Sequence, residues 1–143
     1  MTAVRELIFA EIERRLRAIP GVAEVERMPS GDPAAFPALH IYDDGQKPGE
    51  GEAGVTQYAM PIVIDAFVEQ AGGAAAHAAM NELHAAVVAA LITDPPLGGL
   101  AETIDDGEMI VRVANLASSR RMGFALDIVI GFPTRRGDPA QSA

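Results

Sequence analysis

The 143-residue chain is long enough for one domain with its own core, and 49% of it is apolar, which excludes a disordered protein. It has no cysteine, which excludes a disulfide framework and any thiolate ligand or nucleophile. The net charge of −9 argues against a general nucleic-acid binder, which needs a basic footprint. The N-terminus is charged on every turn, unlike a signal peptide, and no run of eighteen uncharged apolar residues suggests a membrane span.

Thr2 to Ile19 reads as an amphipathic helix with Val4, Leu7, Ile8, Ile12, Leu16 and Ile19 on its apolar face. Thr2 is its expected N-cap. Arg14, Arg15 and Arg17 suit the C-terminal dipole, Glu11 and Arg15 form an i,i+4 pair, and Pro20-Gly21 end the helix. Val22 to Met28 alternates weakly as a first strand, and Pro29 to Pro37 is a loop. In the short strand Ala38 to Tyr42, Leu39 and Ile41 point one way, His40 and Tyr42 the other. Residues 43–56 are rich in glycine and acids, with little to bury, and read as a mobile loop. Gln57 to Glu69 is the longest expected strand, with Pro61 marking an edge or the start of pairing.

Between Gly72-Gly73 and Asp94-Pro95-Pro96 lies a second helix. Met80, Leu83, Val87 and Leu91 form its stripe, widened by Val88 and Ile92. Leu97-Gly98-Gly99-Leu100 and Asp105-Asp106-Gly107 read as turns, the two leucines tucked into the core. Glu108 to Leu116 is a fourth strand, with Met109, Val111 and Val113 facing one way and Ile110 and Arg112 the other. Residues 117–121 connect it to a fifth strand, Met122 to Pro133, where Phe124, Leu126, Ile128 and Ile130 alternate with Ala125, Asp127 and Val129. The pattern predicts an α+β fold, a mostly antiparallel sheet of about five strands with both helices on one face. It divides into a domain over 1–133, with the acidic loop at 43–56, and a polar tail over 134–143.

Charge is uneven. Residues 1–28 sum to zero, residues 29–110 carry thirteen acids against Lys47 alone, and residues 111–143 carry five arginines against two acids. A solvated surface explains this, as does head-to-tail contact between copies.

Catalytic patterns are missing from the sequence. His77 and His84 sit seven apart on a helix, about 10.5 Å along its axis, too far to share a metal. Asp43-Asp44 and Asp105-Asp106 match no calcium loop, and acids beside glycine suit turns. Gly98-Gly99 lacks the residues of a phosphate cradle, and Ser118-Ser119 lacks a nucleophile elbow. No enzyme, metal or cofactor is expected.

Three segments taken together resemble a known family: Asp94-Pro95-Pro96-Leu97-Gly98-Gly99-Leu100 after a helix, Phe36-Pro37-Ala38-Leu39 opening a strand, and Phe132-Pro133-Thr134-Arg135-Arg136-Gly137-Asp138-Pro139 closing another. In their order they resemble the tail terminator proteins of long-tailed bacteriophages and gene transfer agents. The resemblance implies a small α+β virion protein, assembled in the bacterial cytoplasm. Such a protein forms a hexameric ring on the last ring of tail tube protein, stops polymerisation and offers a surface to the head connector. It also implies a lumen that passes DNA without binding it, which acids suit because they repel phosphate. On that reading Asp43, Asp44, Glu50, Glu52, Asp65 and Glu69 line the pore, and Arg120, Arg121, Arg135 and Arg136 lie at subunit or ring contacts. Another neck component, such as a head–tail adaptor or tail completion protein, fits as well. A cellular α+β ligand-binding module is the more distant alternative.

Overall fold

A computed structural model describes residues 1–115 and 120–143. Its elements are α1 (Val4–Arg17), β1 (Glu24–Arg27), β2 (Ala38–Asp43), β3 (Lys47–Gly49), β4 (Val55–Gln70), α2 (Gly73–Leu91), a 3-10 turn (Pro96–Gly99), β5 (Thr103–Asn115), β6 (Arg120–Arg135) and β7 (Asp138–Ser142). The fold is α+β. Its single sheet runs β1-β2-β4-β6-β5, with β3 added to β4 and β7 to β6.

The sheet differs from expectation in being mixed and seven-stranded. β1 pairs with β2 in parallel, Val25 opposite Leu39. The ten residues between them carry the chain back and restart it in the same direction, slightly fewer than the dozen or so usual for a parallel connection. Within the expected loop, Lys47 to Gly49 pair with Ala59 to Gln57, so part of 43–56 belongs to the ladder. Pro61 explains the gap between β2 and β3. Asp44 N–H donates to the Pro61 carbonyl at 3.2 Å, and there the absent proline N–H coincides with the chain leaving the ladder. The expected polar tail completes β6 and turns back as β7.

The core forms where one parity of each long strand meets the helices. Met60, Ile62, Ile64, Ala66 and Val68 of β4 and Phe124, Leu126, Ile128, Ile130 and Phe132 of β6 join one hydrophobic cluster with α1 and α2. The α2 stripe is buried as expected, with Ala76 added. In α1, however, Phe9 is buried and Leu7 is 42% exposed. Phe9 is positioned beneath two guanidinium groups, Arg5 at 5.6 Å and Arg27 at 5.8 Å from its ring centre. The helix opens after Ala3, whose carbonyl accepts the Glu6 and Leu7 N–H groups, so Thr2 does not cap it. Arg15 does more than complement the dipole: it bonds Glu11 at 2.7 Å, Thr93 Oγ1 at 2.8 Å and the Ala90 carbonyl at 3.2 Å, tying α1 to the end of α2. By length and composition alone, residues 73–99 also satisfy the requirement for a membrane-crossing helix, but here the Met80–Leu91 stripe packs on the sheet.

Asp105-Asp106-Gly107 is not a turn. It lies inside β5, where the register against β6 shifts between Asp106 and Met109. A Cβ on Gly107 would sit 3.3 Å from the Asp127 Cβ and carbonyl, so the bulge brings the two strands close at a glycine.

Candidate functional surface

The face of the sheet away from the helices carries the polar groups. Its centre is a row formed by register: His40 opposite Asp65, Asp65 opposite Ala125, Ala125 opposite Ile110. Glu24 Oε2 lies 2.6 Å from His40 Nε2, and Glu24 Oε1 accepts the Ala34 N–H at 3.0 Å. The His40 bond, helped by Ala34, lowers the Glu24 pKa, so the carboxylate accepts and Nε2 carries the proton. The Phe67 ring meets His40 edge-on at 5.2 Å. Glu24, Glu26 and His40 form the one group among the described residues with ligand atoms close enough for a metal. Both Glu24 oxygens are already used, one of them to hold the 28–37 segment, so the arrangement works as a clasp.

Asp65 is the unusual acid. Burial raises its pKa against the opposing pull of Arg112 and His40, and its Oδ1 has no hydrogen-bond partner. Arg112 reaches its other oxygen only at 3.8 Å. Beside it a small cavity of about 110 Å³ is lined by Asp65, Phe67, Arg112, Arg121 and Gly123. Gly123 is required there, because a Cβ would fall 2.0 Å from the Ala66 carbonyl oxygen.

The structure disperses the residues singled out from sequence. Asp43 bonds Arg5 at 2.9 Å; burial pushes its pKa up, but the Arg5 and Gly45 bonds prevail and it is lowered. Glu69 lies 3.6 Å from Arg121. Asp44, Glu50 and Glu52 are exposed, the latter two near β3. The two arginine pairs are not one patch. Arg120 and Arg121 open β6 and Arg135 closes it, about 50 Å away along a sixteen-residue strand. The Arg121 guanidinium stacks 4.8 Å above the Phe36 ring. At the other end the Arg136 N–H donates to the Gly54 carbonyl, so the second basic pair adjoins the acidic segment that sequence order separates from it by eighty residues. Ser118-Ser119 and the start of the expected hairpin connection lie outside the described residues. Of the remaining histidines, His77 is exposed and His84 meets Phe124 edge-on at 5.4 Å.

Sequence reading missed the Glu24–His40 clasp and the stacking of Phe36 on Arg121. Only the residue types hinted at them, since the first depends on the parallel pairing of β1 with β2 and the second joins segments far apart along the chain. It also missed that Ile110, Val111 and Val113 stay exposed, although Arg112 among them was visible.

No family model matches this sequence, and no curated protein matches it. Among solved structures it is similar to a chain of the virion of a native gene transfer agent particle, at 21% identity and a TM-score of 0.47, covering 90% of this chain and 92% of that one.

Proposed function

We propose that this chain is a structural protein of a tailed phage or gene transfer agent particle: a ring, hexameric as in the tail terminators it resembles, that caps the tail tube and presents the head-joining surface. The observation that carries the reading is the uneven cover of the sheet. Both helices bury one face, while the other face and the β5 edge keep apolar side chains in water, among them Ile110, Val113 and Val129. A surface of that kind suits a protein that works by being packed against others.

The charge arrangement supports the same role. Basic pairs at both ends of β6 give each subunit one contact for its neighbour or the tube below and another for the ring above. The exposed acids Asp44, Glu50 and Glu52 are proposed to line the lumen; Asp43, Asp65 and Glu69 already have basic neighbours inside the subunit. No residue is assigned a catalytic role.

Co-expression with tail tube protein tests this. Tubes capped by a ring of this chain, seen by electron microscopy, are the expected result. The double change Arg135→Glu, Arg136→Glu should reduce capping while leaving the monomer folded. Tubes of unregulated length that never bind the chain would refute the reading. Binding to a preformed head connector instead of the tube would assign the chain to another neck position.

A further inference from the structure

The two edges of the sheet are built differently. β1 is four residues long, and the Arg17 side chain donates to its Val25 carbonyl at 3.1 Å, occupying that edge. β5 has thirteen residues and, among the described residues, pairs with β6 alone. Its first half is protected by Asp105, Asp106 and the bulge that begins at Gly107, the devices that keep an edge from adding a strand. Among the described residues its second half has no bulge or proline and a single charge, Arg112. From Met109 to Asn115 there is no acid, and Ile110, Val111 and Val113 are 48%, 45% and 53% exposed. These three do not share a face: Ile110 pairs beside Ala125 on the outer side, Val111 and Val113 beside Phe124 and Met122 on the helix side. Neither face of this half is covered, and the edge keeps a long row of backbone N–H and C=O groups facing away from β6, the feature that admits a further strand.

The sequence at this edge names the strand that fits. Glu108-Met109-Ile110-Val111-Arg112 reads as its own antiparallel complement. With a second copy paired about a two-fold axis through Ile110, Ile110 faces Ile110, Met109 faces Val111, and Glu108 faces Arg112, the last two pairs occurring twice. Directly opposed residues in an antiparallel pair lie on one face and interact, opposite charges and apolar pairs favourably, like charges unfavourably. Moving the axis to Arg112 would oppose two arginines and lose both charge pairs. The Arg112 side chain is 64% exposed and held by Asp65 only at 3.8 Å, so it is free to turn to a partner.

We infer that the isolated chain forms a two-fold dimer through the β5 edge, continuing one sheet across two copies. This contact is isologous and goes beyond the proposed ring, whose contacts are head-to-tail. It covers the edge before assembly.

Sedimentation equilibrium of the full chain should show reversible association to twice the 15.0 kDa monomer mass, weakened by salt. Glu108→Arg alone and Arg112→Glu alone each oppose like charges and should weaken the dimer about tenfold or more. Mixing the two variants restores both charge pairs, so the mixture should associate as the wild type does. The combined variant E108R/R112E should dimerise alone. A monomeric wild type, single variants that dimerise unchanged, or a mixture that stays monomeric would each overturn the inference. Circular dichroism of each variant identifies any that fails to fold, and the E108R/R112E homodimer then carries the test. Capping of tail tubes is a separate readout, so the dimer can fail while the ring reading stands.

Discussion

β4 and β5 are both long partners of β6, one on each side, yet they live in different surroundings. The inward residues of β4 from Met60 to Val68 are essentially inaccessible, whereas β5 is exposed along almost its whole length. The cause is where the helices stop: α2 packs on β4 and β6, and among the described residues neither helix packs broadly on β5. Equal β-propensity therefore serves two ends. In β4 it fills a core. In β5 it leaves apolar groups exposed.

Core truncation should separate the two strands most sharply. Leu126→Ala, under the helices, should cost about 2–5 kcal/mol in urea unfolding, and Val113→Ala under about 1 kcal/mol. Similar losses at both sites would mean that β5 is packed in the isolated chain. Gly123→Ala should cost about 1–3 kcal/mol, because the new methyl meets backbone that must move. An unchanged midpoint would show that the β4–β6 contact is looser than it looks.

The smallest effects are electrostatic and depend on pH. Glu11 is held at a pKa of about 2 by hydrogen bonds from Arg14 and then Arg15. Its folded pKa lies below the unfolded one, so its contribution is present above about pH 4.5 and fades as pH falls toward 2. Solvent screening reduces that contribution, and Glu11→Gln should cost about 0.5–1 kcal/mol at pH 7 and little at pH 2. Asp65 has the opposite sign. Burial raises its pKa, so stability is full below about pH 3.8 and is lost as pH rises from there through the raised value. Asp65→Asn should therefore raise the urea midpoint at pH 7 and leave it unchanged near pH 3. A loss of stability at pH 7 would show that the weak Arg112 pair outweighs desolvation.

Local periodicity made much of the fold legible. The α2 stripe, the alternation of Phe124 to Ile130 and the tuck of Leu97 all follow from spacing and turn chemistry. Phe9 was not legible: it lies outside the i, i+4 row of Val4, Ile8, Ile12 and Leu16, and one of the two guanidinium groups over its ring comes from β1. Neither was β7, a polar segment that becomes a strand only because the end of β6 offers it a ladder.

Alone, the sequence determined which segments are helices and long strands and that the fold is α+β, since side-chain periodicity is a local property carried by neighbours a few residues apart. Only the tertiary structure decided that β1 and β2 run parallel, that the arginine pairs lie at opposite ends of one strand, and that one sheet edge is closed while the other stays open. Those facts depend on which distant segments meet, and the physical reason is coverage: an apolar strand becomes core or surface according to whether a helix happens to lie above it.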